Sequence, residues 1–562
     1  MLLGPETDGP YGAPRRFRRA WIVFILTLTL LPYFVNFWQT PKGFAYTWIL
    51  PPYPADAYAY RAWSKQAFDG HWLFALKFTA LPHRPFLFLP FFLAAGLLSR
   101  LTHLDIGLVH LLLKSVGVVV FFHAFFAFVR HLKLTPRQSI AAAAFAGISS
   151  GFGGFAPLLF PEGLSRAWTP VDVWLVDSNT FWSLLWNPLF PFSLALMLVA
   201  VRRADESLQE ERPQRAWAAG AALTALAFLH PYPLAVLFPL LTGLCLTRRP
   251  KHWLPYWLRS VGAALPGALL IAGVSFFNPL IRTHNGLGTE ETLSLFALIA
   301  GFGLPLLLVA AELFWEPDFF KKNRILFAWF AIPLALSYCP IWFRTKYLFG
   351  AHLPLCVLAG VAVERLLTRL PLPRAGKTAA AALLVALSSY SQIHNFRAGL
   401  EEVRTNEDGQ YRIRDGMMAG LRYLDSRTDH SALVFAAAPT SAKICAFAGY
   451  TVMWGHWAQA VDAAERKIWI RSVFAEDSDL SLEERRRKFW DLGFEYLFLD
   501  GNWREGFGLG VGPLLMNDSD LVFSNPEVAI YRRTARAGRP LSNSDNQASS
   551  SPVSRGSPIS RR

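Results

Sequence analysis

Over its first 396 residues the chain alternates between long apolar blocks and short polar loops. The first block, residues 20–38, follows four arginines and is long enough to cross a bilayer. It ends in bulky aromatic residues rather than in a small-residue cleavage site, so it is interpreted as a retained anchor. Further blocks of this kind cover residues 85–102, 106–129, 138–157, 183–201, 215–230, 233–247, 256–277, 292–315, 325–343, 347–367 and 377–395. The pattern predicts a polytopic α-helical membrane protein with about 11–13 transmembrane helices.

Lysine and arginine residues concentrate in alternate loops, which the positive-inside rule assigns to the cytoplasm. These basic segments are the N-terminus and residues 130–137, 202–215, 248–259, 321–324 and 365–377. The loops placed outside by the same rule are 158–182, 230–233 and 278–291, together with everything after residue 396. We therefore predict a membrane protein with a cytoplasmic N-terminus and an extracytoplasmic C-terminal domain.

The stretch 85–130 conflicts with this orientation if it is counted as two spans. An N-terminus inside and a C-terminal domain outside require an odd number of crossings in the whole chain. With the other spans counted as above, the stretch 85–130 must cross the membrane once or three times. Asp105 and Lys114 interrupt the stretch. One piece is therefore predicted to be short, re-entrant or interfacial. Lys114 is predicted to reflect a misplaced span boundary, because a lysine inside a span is costly in lipid.

The pattern changes after residue 396, where the membrane part (1–396) is predicted to end. Residues 397–534 have ordinary charge and are predicted to form a small soluble α/β domain. Runs of strand length lie at 432–437, 495–499 and 528–531, and helical spacing lies at 461–474 and 482–492. Residues 535–562 are rich in Ser, Pro and Arg and are predicted to be disordered.

Composition agrees with a membrane protein and excludes some partners. Of the 562 residues, 53% are hydrophobic and only 17% are charged, whereas soluble domains carry about 25% charged residues. The net charge of +15 is explained by cytoplasmic loops and contact with anionic lipids, so no nucleic acid partner is expected. Only Cys445 of the four cysteines lies in the soluble region, which therefore cannot form an internal disulfide.

The first outer loop, residues 39–84, is too polar to span the membrane and too apolar for a free linker. Residues 56–68 within it have helical spacing, with Tyr60 and Trp63 on one face and Arg61 and Lys65 on another. We expect this helix to lie in the interface plane, with its aromatic side chains in the acyl boundary. Asp56 would then stand at the start of the helix, at the membrane surface.

At this point the sequence resembles the GT-C superfamily of integral-membrane glycosyltransferases, which use polyprenyl-phosphate-linked sugars. A cytoplasmic N-terminus, a long outer loop with an acidic residue, many spans and a C-terminal extracytoplasmic domain carry the resemblance. The segments that are similar to those of related bacterial membrane proteins are 56–72, 177–185, 229–233, 338–350 and 454–457. The chain departs from the acidic pair of many GT-C loops, since Asp56 is followed by Ala57.

The resemblance implies transfer of a sugar from a polyprenyl-phosphate-linked donor to a glycan, lipid or protein acceptor. The reaction is expected at the outer face of the bacterial inner membrane, with the C-terminal domain in the periplasm. The implied partners also include membrane lipids. Asp56 is the candidate catalytic residue, either as the base that accepts the acceptor's proton or as a metal ligand. The alternative interpretation of Asp56 is a helix N-cap.

Carboxylates in the second outer loop, 158–182, are candidate metal ligands. Asp172 and Asp177 lie close to the predicted membrane surface and, beside Asp56, could hold Mg²⁺ or Mn²⁺ against the donor phosphate. The alternative is a solvated loop in which Asp177 caps a helix. The sequence spacing by itself defines no metal site.

Arg344 and Lys346 lie between two predicted spans at the outer surface, where the positive-inside rule does not account for them. Both are candidates for binding the donor phosphate, since Arg can pair bidentately with phosphate. The alternative role for Arg344 is contact with lipid headgroups. The weaker candidates for the same phosphate role are Arg282, His284 and His230. His230 could instead be satisfied within a Pro-flanked hairpin, and His456 either faces the site or lies in an ordinary turn.

Two other classes of function remain open from the sequence. A transporter or flippase of a lipid-linked or anionic substrate would have internal repeats and polar residues at the bilayer midplane. The chain shows no internal repeat, and its polar groups concentrate in outer loops. A non-enzymatic membrane assembly protein would not need the outer-loop carboxylates.

Overall fold

The computed structural model describes residues 10–249, 251–286, 291–406, 409–427, 430, 432–475, 478–501 and 518–534. The predicted disordered tail, 535–562, lies outside the described residues. The helices of the first part are α1 (Arg15–Trp38), α2 (Pro54–Phe68), α3 (Pro90–Thr102), α4 (Ile106–His131), α5 (Pro136–Ile148), α6 (Ala156–Leu159), α7 (Thr180–Trp186), α8 (Phe190–Gln209), α9 (Trp217–Leu229), α10 (Tyr232–Arg248), α11 (Leu254–Trp257), α12 (Ala263–Phe277), α13 (Pro279–Gly286), α14 (Leu295–Trp315), α15 (Asp318–Lys322), α16 (Arg324–Ser337), α17 (His352–Arg369) and α18 (Arg374–Ser388).

The second part of the chain mixes helices and strands. Its helices are α19 (Tyr390–Thr405), α20 (Asp415–Asp425), α21 (Ala438–Lys443), α22 (Ala463–Phe474) and α23 (Leu482–Trp490). The strands of the whole chain are β1 (Phe44–Tyr46), β2 (Arg412–Arg414), β3 (Leu433–Phe435), β4 (Thr451–Val452), β5 (Tyr496–Leu499), β6 (Ser519–Ser524) and β7 (Ala529–Arg533).

Every apolar block predicted from the sequence contains a helix, which confirms the polytopic helical fold. Five stretches of the described chain are long and apolar enough to cross a bilayer: Arg15–Trp38, Ile106–His131, Leu254–Phe277, Leu295–Trp315 and Arg344–Arg369. Helix α5 and the following segment Gly153–Leu159 form a bent pair, with an angle of 45°, that together would make a sixth span. Helices α3, α10 and α16 are apolar but shorter.

The stretch 85–130 contains one short helix and one long one. Helix α3 has 13 residues and is about 20 Å long, which is short of a ~30 Å hydrocarbon core. It packs on α2 so closely that a Cβ at Gly96 would lie 2.2 Å from the Ser64 carbonyl oxygen. Only α4, with 26 residues, is long enough to cross here. A single crossing is the odd number that the basic loops require.

The prediction for Lys114 is wrong, because this residue lies inside α4 and is buried. Its Nζ donates to the carbonyl oxygens of Thr29, at 3.2 Å, and Leu185, at 2.8 Å. Leu185 stands in the last turn of α7, where helix carbonyls lack partners within the helix. The ammonium also lies 3.8 Å from the centroid of the Tyr33 ring. These contacts offset the cost of a lysine at this depth.

Helix α2 does not lie with its aromatic face in lipid as predicted. Tyr60 stacks on Phe92 of α3, with ring centroids 5.1 Å apart. On the opposite side, the Arg61 guanidinium lies 3.9 Å from the Phe447 ring centroid of the C-terminal domain. Arg61 also donates to both carboxylate oxygens of Asp105, at 2.8 and 2.5 Å. The helix is enclosed between the membrane part and the C-terminal domain because its charged residues find partners there.

The C-terminal region forms the predicted α/β unit. Its five-stranded sheet has the order β4-β3-β5-β7-β6, with β4, β3 and β5 parallel and β7 and β6 antiparallel. The predicted strands correspond to β3, β5 and β7, and the predicted helices to α22 and α23. Helix α19 continues across residue 396, where the sequence suggests the domain boundary.

The first outer loop is built into this C-terminal unit. Strand β1 pairs antiparallel with β2, with Phe44 opposite Arg414 and Tyr46 opposite Arg412. Farther along the loop, the Val452 N–H donates to the Lys77 carbonyl oxygen at 2.8 Å. Loop and domain therefore form one body, in which α2 of the loop packs against the C-terminal domain.

Candidate active site at Asp56

Asp56 lies in the first turn of α2, and its side chain does not cap the helix. The Asp56 Oδ1 atom instead meets two side chains of the C-terminal domain. It lies 3.2 Å from His456 Nε2 and accepts a hydrogen bond from Trp457 Nε1 at 3.1 Å. The N-cap interpretation is therefore wrong, because Asp56 is used to join α2 to a turn 400 residues later in the chain.

The hydrogen bonds of His456 define which ring nitrogen carries its proton. The backbone N–H groups of Ala458 and Gln459 both donate to His456 Nδ1, each at 3.1 Å. Since a backbone N–H can only donate, Nδ1 must present its lone pair. The proton is then on Nε2, which donates it to Asp56 Oδ1. His456 is thus held as an orienting donor toward Asp56.

These contacts control the ionisation of Asp56. Burial by itself would raise the pKa of the carboxyl, but the His456 and Trp457 hydrogen bonds and the charge of Lys346 outweigh it. The net result is a pKa lowered from the ordinary value of 3.8, so Asp56 is ionised at neutral pH. No side chain among the described residues donates to Oδ2. One carboxylate oxygen is held in place and the other remains available.

Lys346 brings a second predicted carboxylate into the same site. Its Nζ donates to Asp177 Oδ2 at 3.3 Å, and the Asp177 side chain is 2% exposed. Lys346 is also near enough to Asp56 to lower the pKa of that carboxyl. Tyr60 of α2 borders the site and accepts a hydrogen bond from Asn187 Nδ2 at 3.1 Å. Asp56, Lys346 and Asp177 therefore form a mixed-charge cluster at the N-terminal end of α2.

Two more predicted residues stand at the edge of this cluster. The His284 Nδ1 atom donates to the Ala458 carbonyl oxygen at 2.8 Å, in the turn that carries His456. Burial lowers the pKa of His284, although this hydrogen bond opposes the effect. Its ring centroid lies 5.6 Å from that of Phe343, which is 6.2 Å from that of Trp457. Arg344 follows Phe343 and is half-buried, whereas Arg282 is exposed on α13.

His230 is packed among aromatic rings. Its ring stacks on Phe190, at 5.0 Å between centroids, and meets Phe349 edge-on at 4.6 Å. Its Nδ1 atom lies 3.1 Å from the Ser193 hydroxyl. Of the two interpretations from the sequence, this arrangement favours a histidine whose contacts are made within the protein, at the Pro-flanked hairpin. Phosphate binding by His230 stays a prediction.

Asp172 holds the segment that follows α5. Its Oδ2 accepts hydrogen bonds from the Ser150 hydroxyl at 3.0 Å and from the N–H groups of Gly151 and Gly153 at 2.9 and 3.3 Å. Burial raises the pKa of Asp172 to about 6, although these hydrogen bonds act in the opposite direction. The contacts favour a structural role, and metal binding by Asp172 and Asp177 stays a prediction.

A possible Asp/His metal site lies elsewhere, at the other end of α2. Asp69, Asp425 and His430 each offer a ligand atom within 4.8 Å of the others. Lys65 Nζ lies 2.5 Å from Asp69 and 2.8 Å from Asp425, so an ammonium already supplies the positive charge there. Around Asp56 the same role falls to Lys346. The carboxylates at this site therefore have an internal cation, Lys346, close to them.

Sequence reasoning left His456 between a place in the site and an ordinary turn, and it assigned no role to Trp457. The segment 454–457 reads Trp-Gly-His-Trp, and its local pattern is also typical of an ordinary turn with surface aromatic residues. The pairing with Asp56 crosses 400 residues, so no local spacing could indicate it. The signal that could have found it is a histidine between glycine and tryptophan in a domain expected to face the membrane.

Comparison with known proteins supports the fold assignment through structure alone. No family model and no curated protein matches the sequence. The apo oligosaccharyltransferase of Archaeoglobus fulgidus superposes with a TM-score of 0.50 at 12% identity, covering 93% of this chain and 75% of that one. ArnT from Cupriavidus metallidurans has a TM-score of 0.47 at 14% identity, covering 93% of this chain and 99% of that one. The mycobacterial arabinofuranosyltransferase AftD has a TM-score of 0.48 at 13% identity, covering 92% of this chain and 40% of that one.

The oligosaccharyltransferase, ArnT and AftD are all GT-C membrane glycosyltransferases. The superposition on the apo oligosaccharyltransferase gives the chain the GT-C fold, and the resemblance predicted from the sequence is confirmed at the level of fold. Structures of the Archaeoglobus enzyme include complexes with an inhibitory peptide and a dolichol-phosphate, and with Zn and sulfate.

Proposed function

We propose that this GT-C-fold protein is a membrane glycosyltransferase that moves a sugar from a polyprenyl-phosphate-linked donor to an acceptor at the outer membrane face. The observation that carries the proposal is the Asp56 carboxylate. It is ionised, one oxygen is oriented by His456 and Trp457, and the other is available beside the half-buried Lys346. A base held beside a cation is what transfer from a phosphate leaving group needs.

In the proposed reaction Asp56 Oδ2 receives the proton of the acceptor hydroxyl or amide. The acceptor atom forms a bond to the anomeric carbon of the donor while the bond from that carbon to the phosphate oxygen breaks. The bonding electrons leave with the phosphate, and the sugar is inverted because a single displacement occurs. With its lowered pKa, Asp56 is a weak base, so the proton moves late, after the attacking atom has become acidic.

The leaving phosphate gains negative charge and needs a cation nearby. Lys346 is the candidate for this role, because Asp177 holds its ammonium in place at 3.3 Å. Arg344 stands two residues earlier on the same turn, Arg344–Leu348, and is the second candidate. A fixed cation stabilises charge that develops only as the bond breaks, which accelerates the chemical step. The turn would thus bind the donor head group, with its lipid tail among the adjacent helices.

The test of the proposal replaces Asp56 by asparagine. Asp56→Asn keeps an oxygen that can accept from His456 and Trp457 but removes the charge and the base. Transfer of radiolabelled sugar from polyprenyl-phosphate donors should fall roughly 10²- to 10⁴-fold in purified, reconstituted protein. The matched control is Asp415→Asn, since Asp415 also lies in the first turn of a helix but is exposed.

The control should transfer sugar at the wild-type rate. Thermal unfolding of each variant in detergent shows that the proteins are folded. A folded Asp56→Asn protein with wild-type transfer would overturn the assignment of Asp56. Transport of a lipid-linked sugar into liposomes without any transfer would replace the proposal by the transporter alternative.

A further inference from the structure

A second, separate groove opens on the C-terminal domain. It has a volume of about 940 Å³ and lies between the β1–β2 ribbon and the carboxyl end of β5. Its charged lining residues are Arg404, Arg412, Arg414, Lys443, Asp500 and Glu527. None of the lining residues belongs to the cluster around Asp56. The volume is that of a cleft for a small organic ligand.

Arg412 in the wall of this groove is a buried cation, and no carboxylate among the described residues forms an ion pair with it. It is 6% exposed, and its Nε and Nη2 atoms have no hydrogen-bond partner among the described residues. Other buried arginines of the described chain are paired. Arg61 binds Asp105, and Arg485 donates to three backbone carbonyl oxygens. A buried charge is tolerated when it is paired. The described residues provide no such partner for Arg412, so a ligand in the groove could be its partner.

The carboxylates of the groove are already engaged in holding the domain together. Glu527 Oε2 accepts a hydrogen bond from the Met417 N–H at 3.0 Å, at the start of α20. Asp500 accepts a hydrogen bond from the buried hydroxyl of Thr440. Four cationic side chains thus face a groove with two carboxylates, and both carboxylates have donors of their own. Among the described residues that line the groove, cationic side chains therefore outnumber carboxylates.

We propose that this groove binds a small ligand of sugar size that carries a phosphate or carboxylate group. The oxyanion of the ligand pairs with the Arg412 guanidinium at the groove wall, and the exposed Arg404 and Arg414 at the rim add attraction. A guanidinium N–H group forms charge-assisted hydrogen bonds with either oxyanion. The site is independent of the transfer reaction at Asp56, since the two share no residue.

Binding is tested with the full-length protein in detergent at low ionic strength. The probes are inorganic phosphate, glucose 1-phosphate, glucuronate and neutral glucose, each followed by calorimetric titration. Arg412→Met removes the charge and keeps the length of the side chain. Arg422→Met is the matched control, because Arg422 is an exposed arginine on α20 outside the groove.

Glucose 1-phosphate or glucuronate should bind the wild type and the Arg422→Met control alike. Binding to Arg412→Met should be roughly 10- to 100-fold weaker, as expected for loss of a charged hydrogen-bonding partner. Which probe binds more tightly identifies phosphate or carboxylate as the group recognised. Without ligand, Arg412→Met should unfold at a temperature no lower than the wild type, since no internal ion pair is lost.

Three results would overturn the proposal. The first is that no anionic probe binds the wild type, or that glucose binds as well as its charged relatives. The second is equal binding to wild type and Arg412→Met. The third is a clear loss of thermal stability in ligand-free Arg412→Met, which would show that Arg412 serves the fold rather than a ligand.

Discussion

At the scale of single residues, the orientation of Asp56 depends on one turn of the C-terminal domain. Gly455 precedes His456 and has φ of +131°, a conformation that other residues rarely adopt. A Cβ at this position would also lie 2.9 Å from Ser441 Cβ. The glycine lets the turn approach α21 closely, so that His456 and Trp457 both reach the same carboxylate oxygen.

Trp457→Phe tests this orientation because it removes the Nε1–H donor and keeps an aromatic ring. The Asp56 pKa should rise, and kcat for sugar transfer should fall roughly 10- to 100-fold, since one charge-assisted hydrogen bond is lost. Steady-state kinetics should show the loss in kcat rather than in KM. Trp72→Phe, at an exposed tryptophan of the same outer loop, is the control and should leave kcat unchanged. Equal kcat in both variants would contradict the role of Trp457.

Asp172 predicts a pH dependence of stability with a definite sign. Its pKa is about 6 in the folded protein and near the ordinary value of 3.8 when unfolded. The folded state therefore binds this proton more tightly, so the contribution of Asp172 to stability grows as pH falls from above 6 to below 4. The full effect is about 3 kcal/mol.

The measurement is the difference in unfolding temperature between the wild type and Asp172→Asn, which cannot titrate. The wild type should gain stability relative to the variant as the pH is lowered from 7.5 to 4.5. A difference that stays constant over this range would show that Asp172 is ionised in the fold at all these values.

At the scale of elements, α2 shows that a helix face with charged residues can be buried instead of facing water. Arg61 and Lys65 define a polar face in sequence, which normally faces water. In the structure Arg61 is paired with Asp105, and Lys65 with Asp69 and Asp425. Asp69 directly follows α2, but Asp105 directly precedes α4 and Asp425 ends α20, so the helix can be enclosed on both sides. The charged residues dock the helix instead of solvating it.

The contact between α2 and α3 gives a prediction at this scale. Gly96→Ala places a Cβ 2.2 Å from the Ser64 carbonyl oxygen and 2.5 Å from Ala67 Cβ, so the two helices must separate. The variant should lose about 1–3 kcal/mol of stability by overpacking. Gly243→Ala in α10 is the control, because a Cβ there meets nothing within 4 Å.

Thermal unfolding in detergent compares the two variants. Gly243→Ala should be neutral or gain up to about 1 kcal/mol from helix propensity. If Gly96→Ala unfolds at the same temperature as the control, then α2 and α3 are not in close contact in the protein.

At the scale of the whole molecule, the outer loop and the C-terminal domain are inseparable. The β1–β2 pairing and the contact between Lys77 and Val452 join segments more than 350 residues apart. Both must therefore lie on the same side of the membrane. This requirement is independent of the basic loops, and it agrees with the odd number of crossings that follows from α4 alone between residues 85 and 130.

Membrane orientation is predicted to place this shared body outside the cytoplasm. Of the four cysteines, all but Cys339 are buried, so a Cys339→Ser background suits labelling experiments. In right-side-out membrane vesicles, a membrane-impermeant maleimide should label Asp415→Cys directly. Lys321→Cys, at an exposed residue of a basic loop, should be labelled only after detergent is added. The opposite result would reverse the orientation.

The sequence by itself determined where the membrane helices and three of the seven described strands lie, because a run of apolar residues shapes its own local structure. It gave the membrane class, the strands β3, β5 and β7, and the candidate base Asp56. The span boundary at Lys114 was misjudged because its partners, Thr29 and Leu185, come from distant helices. Local pattern carries no information on such contacts.

Only the tertiary structure decided how the candidate site is assembled. Asp56, Lys346 and His456 lie far apart in the chain, and each has an ordinary structural interpretation when it is considered alone. Folding the outer loop onto the C-terminal domain puts His456 and Trp457 on one oxygen of Asp56 and leaves the other available. The physical reason is that ionisation and hydrogen bonding depend on distances through space, which the order of residues along the chain does not contain.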